Sequence, residues 1–266
     1  MGDPPGAATF HTSAEAYDRH VGRYGRELAR AFIDAAGLRP GQRALDVGCG
    51  PGALTSELVA VLGAERVAAV DPSLPFVEAC RRRLPGVHVE VAAAEALPFE
   101  DAAFDNALAQ LVVNFMTDPP AGVRELQRVT RPGGTVAAAV WDYAGEMTLL
   151  RRFWEAAVAV DASARDRDER HSMPFCTPDA LGELFSTARL ADVRVRPAVV
   201  AADYDHFEDL WQPLELGVGP SGAYATSLPS ERRMALKAEL RRRLGVGDEP
   251  FRLSARAWIA TGRARR

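Results

Sequence analysis

The chain of 266 residues has little lysine, little cysteine and no long apolar run. Lys237 is the only lysine, so nearly every cation is an arginine, and the tyrosine–lysine pair of nicotinamide-dependent reductases is missing. The three cysteines, Cys49, Cys80 and Cys176, are odd in number and widely spaced. That spacing excludes a C-x-x-C metal or redox site, fits a reducing cytoplasm, and gives no reason to expect a metal. No stretch approaches the ~18 apolar residues of a membrane span. Met1-Gly2-Asp3-Pro4-Pro5 has neither the basic start nor the apolar core of a secretion signal. The formal net charge is −4 and no block of five or six like charges occurs, so no nucleic-acid footprint is present. Arg241-Arg242-Arg243 beside Glu239 reads as a solvated helix face. A 47% hydrophobic, 26% charged composition at this length suffices for a full α/β core.

What the chain does have is concentrated in Ala44-Leu45-Asp46-Val47-Gly48-Cys49-Gly50-Pro51-Gly52-Ala53-Leu54-Thr55. A short apolar strand ends in an acid, and three glycines at alternate positions lead into an amphipathic helix. Glycines there let the backbone turn sharply and let a ligand lie against the main chain. The helix points its free N–H groups at that ligand. The spacing is G-x-G-x-G, not the G-x-G-x-x-G of dinucleotide sites, and Pro51 removes one N–H from any pyrophosphate cradle. The next strand ends at Asp71, about 20 residues past the glycines, where a carboxylate holds a ribose diol. Asp71 before Pro72 also suits a helix cap for the segment that follows.

Strands at about 43–47, 66–70, 87–91, 104–110 and 135–141 alternate with helices at about 52–62, 73–84, 119–130 and 146–162. This alternation specifies parallel strands joined by right-handed crossovers. Thr177-Pro178 opens a further helix, and two more strands follow at about 193–200 and 251–261. The reading is a Rossmann-like α/β fold: a seven-stranded, mostly parallel sheet whose last strand is antiparallel, with helices on both faces.

The glycine segment resembles motif I of the class I S-adenosylmethionine (SAM)-dependent methyltransferases. Three further blocks resemble the ubiquinone/menaquinone-biosynthesis-like (type 11) branch: Ala92-Ala93-Ala94-Glu95-Ala96-Leu97-Pro98-Phe99, Phe104-Asp105-Asn106-Ala107-Leu108-Ala109-Gln110, and Leu126-Gln127-Arg128-Val129-Thr130-Arg131-Pro132-Gly133-Gly134. The resemblance covers about residues 17–142. It implies SAM as cofactor and S-adenosylhomocysteine (SAH) as product. Asp46, Gly48, Cys49, Gly50 and Gly52 would line the cofactor in the first loop. Asp71 and Pro72 would hold its ribose, Ala94 and Glu95 would read the adenine through their backbone, and Gln110 would close the fourth strand end. Ala92 and Ala93 stand where the branch writes Gly-Asp, which removes a side-chain contact to adenine. Cys49 reads as a small packing residue and not as a nucleophile.

Residues 1–12 read as a disordered tail, and residues 13–266 as one methyltransferase domain with cap segments 13–36, 146–175 and 204–249. These segments exceed ordinary connections, and long insertions near strand ends commonly cover a ligand. Phe115 after the fourth strand and Trp141 after the fifth are candidates for the acceptor site. His171 in the 146–175 segment is the one candidate base and an acceptor contact, against the plainer reading of a solvated loop histidine. Trp154 and Trp211 read as cap core. Arg23, in a glycine-broken helix, matches the cofactor's methionine carboxylate or else is an exposed helix arginine. The expected partner is a small-molecule acceptor, with no nucleic acid and no membrane, for a monomer or homodimer. The alternatives are a quinone-precursor C-methyltransferase and a catalytically silent SAM-binding protein.

Overall fold

Residues 20–265 are described by the computed structural model; the expected tail at 1–12 and the start of the 13–36 segment lie outside them. In chain order the elements are α1 (Gly25–Ala36), β1 (Ala44–Val47), α2 (Ala53–Leu62), β2 (Val67–Asp71), α3 (Leu74–Arg83), β3 (His88–Val91), β4 (Phe104–Gln110), α4 (Pro119–Val129) and β5 (Thr130–Trp141). There follow α5 (Thr148–Val160), α6 (Glu169–Ser172), α7 (Pro178–Thr187), β6 (Ala191–Tyr204), α8 (Phe207–Glu215), α9 (Gly219–Ser227), α10 (Ser230–Leu244) and β7 (Phe251–Arg263), with short 3-10 turns between.

The seven strands form one sheet in the order β3-β2-β1-β4-β5-β7-β6. β1 pairs in parallel with β2 and β4, β2 with β3, and β4 with β5, whereas β7 runs antiparallel to β5. The central strands are buried on both faces, as parallel strands under helices must be. Their alternate residues go to opposite sides. Leu45, Ala107 and Val136 pack with Leu126 of α4 and Phe185 of α7. Ala44, Leu108 and Ala137 pack with Phe32 of α1 and Leu58 of α2. The strand order reverses between β1 and β4, and the crevice at their carboxyl ends is where an open α/β sheet takes its ligand.

The start of β5 differs from the sequence reading. The Arg131-Pro132-Gly133-Gly134 corner, read as a turn before a strand from 135, is already part of β5, which starts at Thr130. The pairing register with β4 shifts between Phe104 and Asn106. The corner is therefore an irregularity inside the strand, where Pro132 and the positive φ of Gly133 fit, as at a bulge.

The chain divides into two compact units. The sheet unit holds Gly25–Trp141, Phe175–Ala198 and the chain from Ala257. Helix α1, grouped with the cap from sequence, belongs here, because Ala29, Phe32, Ile33 and Ala36 supply an apolar face to the sheet. The second unit holds the described residues up to Tyr24, Asp142–Pro174 and Val199–Arg256. Within it Trp154 and Trp211 are fully buried, Phe153 and Trp154 meet edge-to-face at 5.1 Å, and the Tyr24 and Tyr204 hydroxyls are 3.2 Å apart. Among the described residues no helix is long and apolar enough to cross a membrane.

Candidate functional site

Asp71, at the end of β2, organises the glycine loop. Its Oδ2 accepts from the Gly50 N–H at 2.9 Å, and its Oδ1 accepts from the Ser73 N–H at 2.8 Å. The amides of Gly48 and Cys49 both donate to the Val70 carbonyl, at 2.8 and 2.9 Å. Main chain and side chain thus fasten the loop after β1 to the end of β2. Each Asp71 oxygen has a second lone-pair direction for a ligand hydroxyl. Burial pushes the Asp71 carboxyl above the ordinary carboxylate range, while the Ser73 and Gly50 amides pull it back.

The loop needs its first glycine for steric reasons. Gly48 has φ +73°, and a Cβ there would fall on the methyls of Val112. Val112 is held there by an unusual turn: Leu111, directly after β4, has φ +64°, and its amide donates to the Ala139 carbonyl at 2.8 Å. A branched residue in the left-handed region is a strained feature that surrounding structure must enforce. Gly50, in contrast, faces open space.

Asp46 closes β1 beneath the loop and is 1% exposed. Its Oδ2 accepts from Thr55 Oγ1 at 2.6 Å, and its Oδ1 has no hydrogen-bond partner. Burial pushes its pKa up to about 7, the Thr55 hydroxyl pulls it down, and Asp71 adds a smaller upward push. Cys49 is buried, and the neighbouring Cys80 thiol, followed by burial, raises its own thiol above the usual range. It stays protonated, as packing requires.

Ala94 is buried and Glu95 half-buried after β3. The Glu95 carboxylate accepts from the amides of Thr117 and Asp118 at 2.7 and 3.1 Å. Its side chain therefore positions the start of α4. Gln110 Nε2 donates to the Gly25 carbonyl at 3.3 Å, while its Oε1 is buried without a partner. Phe115 is half-buried, and its neighbour Asn114 accepts from the Phe175 amide at 3.0 Å.

Three sequence candidates take the following places. Trp141, expected on the crevice floor, is 1% exposed. Arg23 and His171 fall in the second unit. The Arg23 fork donates to Asp209 and, at 3.0 Å, to the Asp203 carbonyl, and it stacks 4.8 Å over the Tyr204 ring. A guanidinium engaged in this way does not stand open for a cofactor carboxylate. His171 lies exposed on the four-residue α6. The sequence reading missed Thr55, Leu111 and Val112. Only Thr55 left a signal, a hydroxyl in the first turn of the helix that follows the acid.

Comparisons with known proteins agree with this geometry. A family model described as "Methyltransferase domain" matches residues 45–138. A malonyl-(acyl-carrier protein) O-methyltransferase of Pseudescherichia vulneris is 34% identical over 197 residues, 74% of this chain and 73% of that protein. A demethylmenaquinone methyltransferase of Renibacterium salmoninarum is 36% identical over 118 residues, 44% of this chain and 49% of that protein. In fold, the chain is similar to a Haemonchus contortus phosphoethanolamine N-methyltransferase 2 solved with phosphomonomethylethanolamine and SAH. The TM-score is 0.60 at 17% identity, over 95% of this chain and 57% of that one.

Proposed function

The chain belongs to the class I SAM-dependent methyltransferases of the type 11 branch, and from that premise we propose that it moves a methyl group from SAM to a small organic acceptor. The observation that carries the cofactor half is the Asp71 clamp. A buried carboxylate fastens the glycine loop at the strand-order reversal and retains lone pairs for a ribose diol. Methyl transfer from a sulfonium is an in-line displacement with a neutral leaving group. The protein's main task is to hold the acceptor lone pair behind the methyl carbon, worth up to ~7–11 kcal/mol. A base is needed only where the acceptor must first lose a proton.

A second reading concerns the acceptor. The alignment with the O-methyltransferase spans 197 residues, beyond the 45–138 core, whereas the one with the menaquinone enzyme spans 118. Similarity outside the cofactor core supports a carboxylate on an acyl thioester over a quinone ring carbon. Such a carboxylate is ionised at neutral pH and needs no base, so His171 has no required part. Calorimetric titration is expected to give saturable binding of SAM and SAH and none of NAD; NAD binding without SAM binding would overturn the cofactor reading. Radiolabelled SAM offered with a malonyl thioester or a demethylated quinone would then choose between acceptors.

A further inference from the structure

The Asp46 carboxylate lies beneath the loop with one oxygen bonded to Thr55 at 2.6 Å and the other without a partner. The groups around it come from several elements. Asp71 of β2 and Cys49 of the loop are within electrostatic reach. Cys80 of α3 places its thiol 3.9 Å from the Thr55 hydroxyl. Opposite it on β4 stands the apolar Leu108, and Arg83 of α3 reaches the loop at the Pro51 carbonyl, at 3.2 Å.

We propose that Thr55 is a positioning residue: its hydroxyl, bonded to Asp46 at 2.6 Å, favours the ionised form of that acid near the glycine loop, and ionised Asp46 makes the site prefer the cationic methyl donor to its uncharged-sulfur product. This rests on the reading that the loop binds SAM. SAM carries a sulfonium charge, and the displacement turns that sulfur into a neutral thioether as its C–S electron pair returns to it. A buried carboxylate therefore attracts the donor more than the product, and the attraction relaxes in the same step that forms the product. Two unit charges ~10 Å apart at an effective permittivity of ~20 change an affinity by roughly tenfold. Burial alone would neutralise the acid, and a hydrogen bond to its charged form opposes that. With Thr55 present the balance falls at about 7, close to neutral pH, so removing the hydroxyl shifts the population of the charged form.

The test compares the wild type with Thr55→Val, which keeps the shape, and Thr55→Ser, which keeps the hydroxyl. Dissociation constants for SAM and SAH are measured by calorimetry across the neutral range, and the Asp46 carboxyl is titrated by carbon-13 NMR without ligand. The wild-type preference for SAM over SAH should rise roughly tenfold as pH increases through about 7. In Thr55→Val both that rise and the carboxyl titration should move upward by about one pH unit or more, and Thr55→Ser should follow the wild type. Thr55→Val curves that superimpose on the wild type, or an equal loss for SAM and SAH at every pH, would overturn the proposal. A wild type that binds neither molecule would instead overturn the cofactor reading, and the NMR titration would still report what Thr55 does to Asp46.

Discussion

Asp71→Ala is expected to weaken SAM binding about a hundredfold, or ~3 kcal/mol, measured by calorimetry at neutral pH. Two losses combine. The first is the pair of charge-assisted bonds to the cofactor's ribose, each worth ~1.5–3 kcal/mol before the entropy of holding the loop is counted. The second is the anchor itself, because the Gly50 amide donates to Asp71 at 2.9 Å. A loop without that anchor must be ordered by the ligand, which lowers affinity further. Asp71→Asn separates the two. It keeps the size and one acceptor oxygen but turns an N–H toward either the Gly50 or the Ser73 amide, so it should lose nearly as much. Burial raises the Asp71 carboxyl, so SAM affinity should fall as the pH is lowered through its titration. Unchanged affinity in Asp71→Ala, with a lowered melting temperature, would leave the residue as a helix cap alone.

The helix-cap reading of Asp71 has its counterpart in the structure, and the second carboxylate oxygen does work the sequence did not announce. One serves the Ser73 amide at the start of α3 and the other serves the glycine loop. Local patterns of this kind were legible: short apolar strands, the Thr177 cap whose hydroxyl accepts from the Ala180 amide at 3.3 Å, and the bounds of β4. What the sequence did not reveal depends on distant partners. Nothing near Arg23 indicates Asp209, 186 positions away. Nothing near Leu111 indicates that the turn after β4 will force φ to +64° so that Val112 fills the space over Gly48. The burial of Trp141, 1% exposed, was hidden for a related reason: an aromatic at a strand end packs inward or faces a crevice according to its neighbours on other strands. The division of α1 from the cap was hidden similarly, since an apolar helix face does not name the surface it will cover.

Arg151→Met is expected to lower stability by about 3–5 kcal/mol, read from urea unfolding. Arg151 and Asp168 are both buried. The guanidinium donates to both Asp168 oxygens at 2.8 and 2.7 Å and to the Tyr143 carbonyl at 2.9 Å. Asp168 retains Arg170, whose Nε donates at 2.8 Å, but that side chain is 41% exposed and screened by water. Methionine fills the volume yet leaves a buried carboxylate short of a partner, and that desolvated charge dominates the cost. The double variant Arg151→Met/Asp168→Leu should recover most of the loss, because well-packed apolar residues replace a buried pair at little net cost. Neighbouring Glu169 makes the effect depend on pH. Burial pushes its pKa up to about 7, the hydrogen bond from Trp154 Nε1 pulls it down, Asp168 adds to the rise and Arg151 opposes it. Its folded value lies above the ordinary glutamate value of 4.5, so the folded state binds the extra proton between the two and stability falls as pH rises through that window. Without Arg151 the folded value climbs further, and the decline should continue above about pH 7. Glu169→Gln, which keeps an acceptor for Trp154, should flatten both profiles. A stability loss in Arg151→Met under ~1 kcal/mol, or one that Asp168→Leu fails to restore, would mean the pair is solvated and the buried-charge account is wrong.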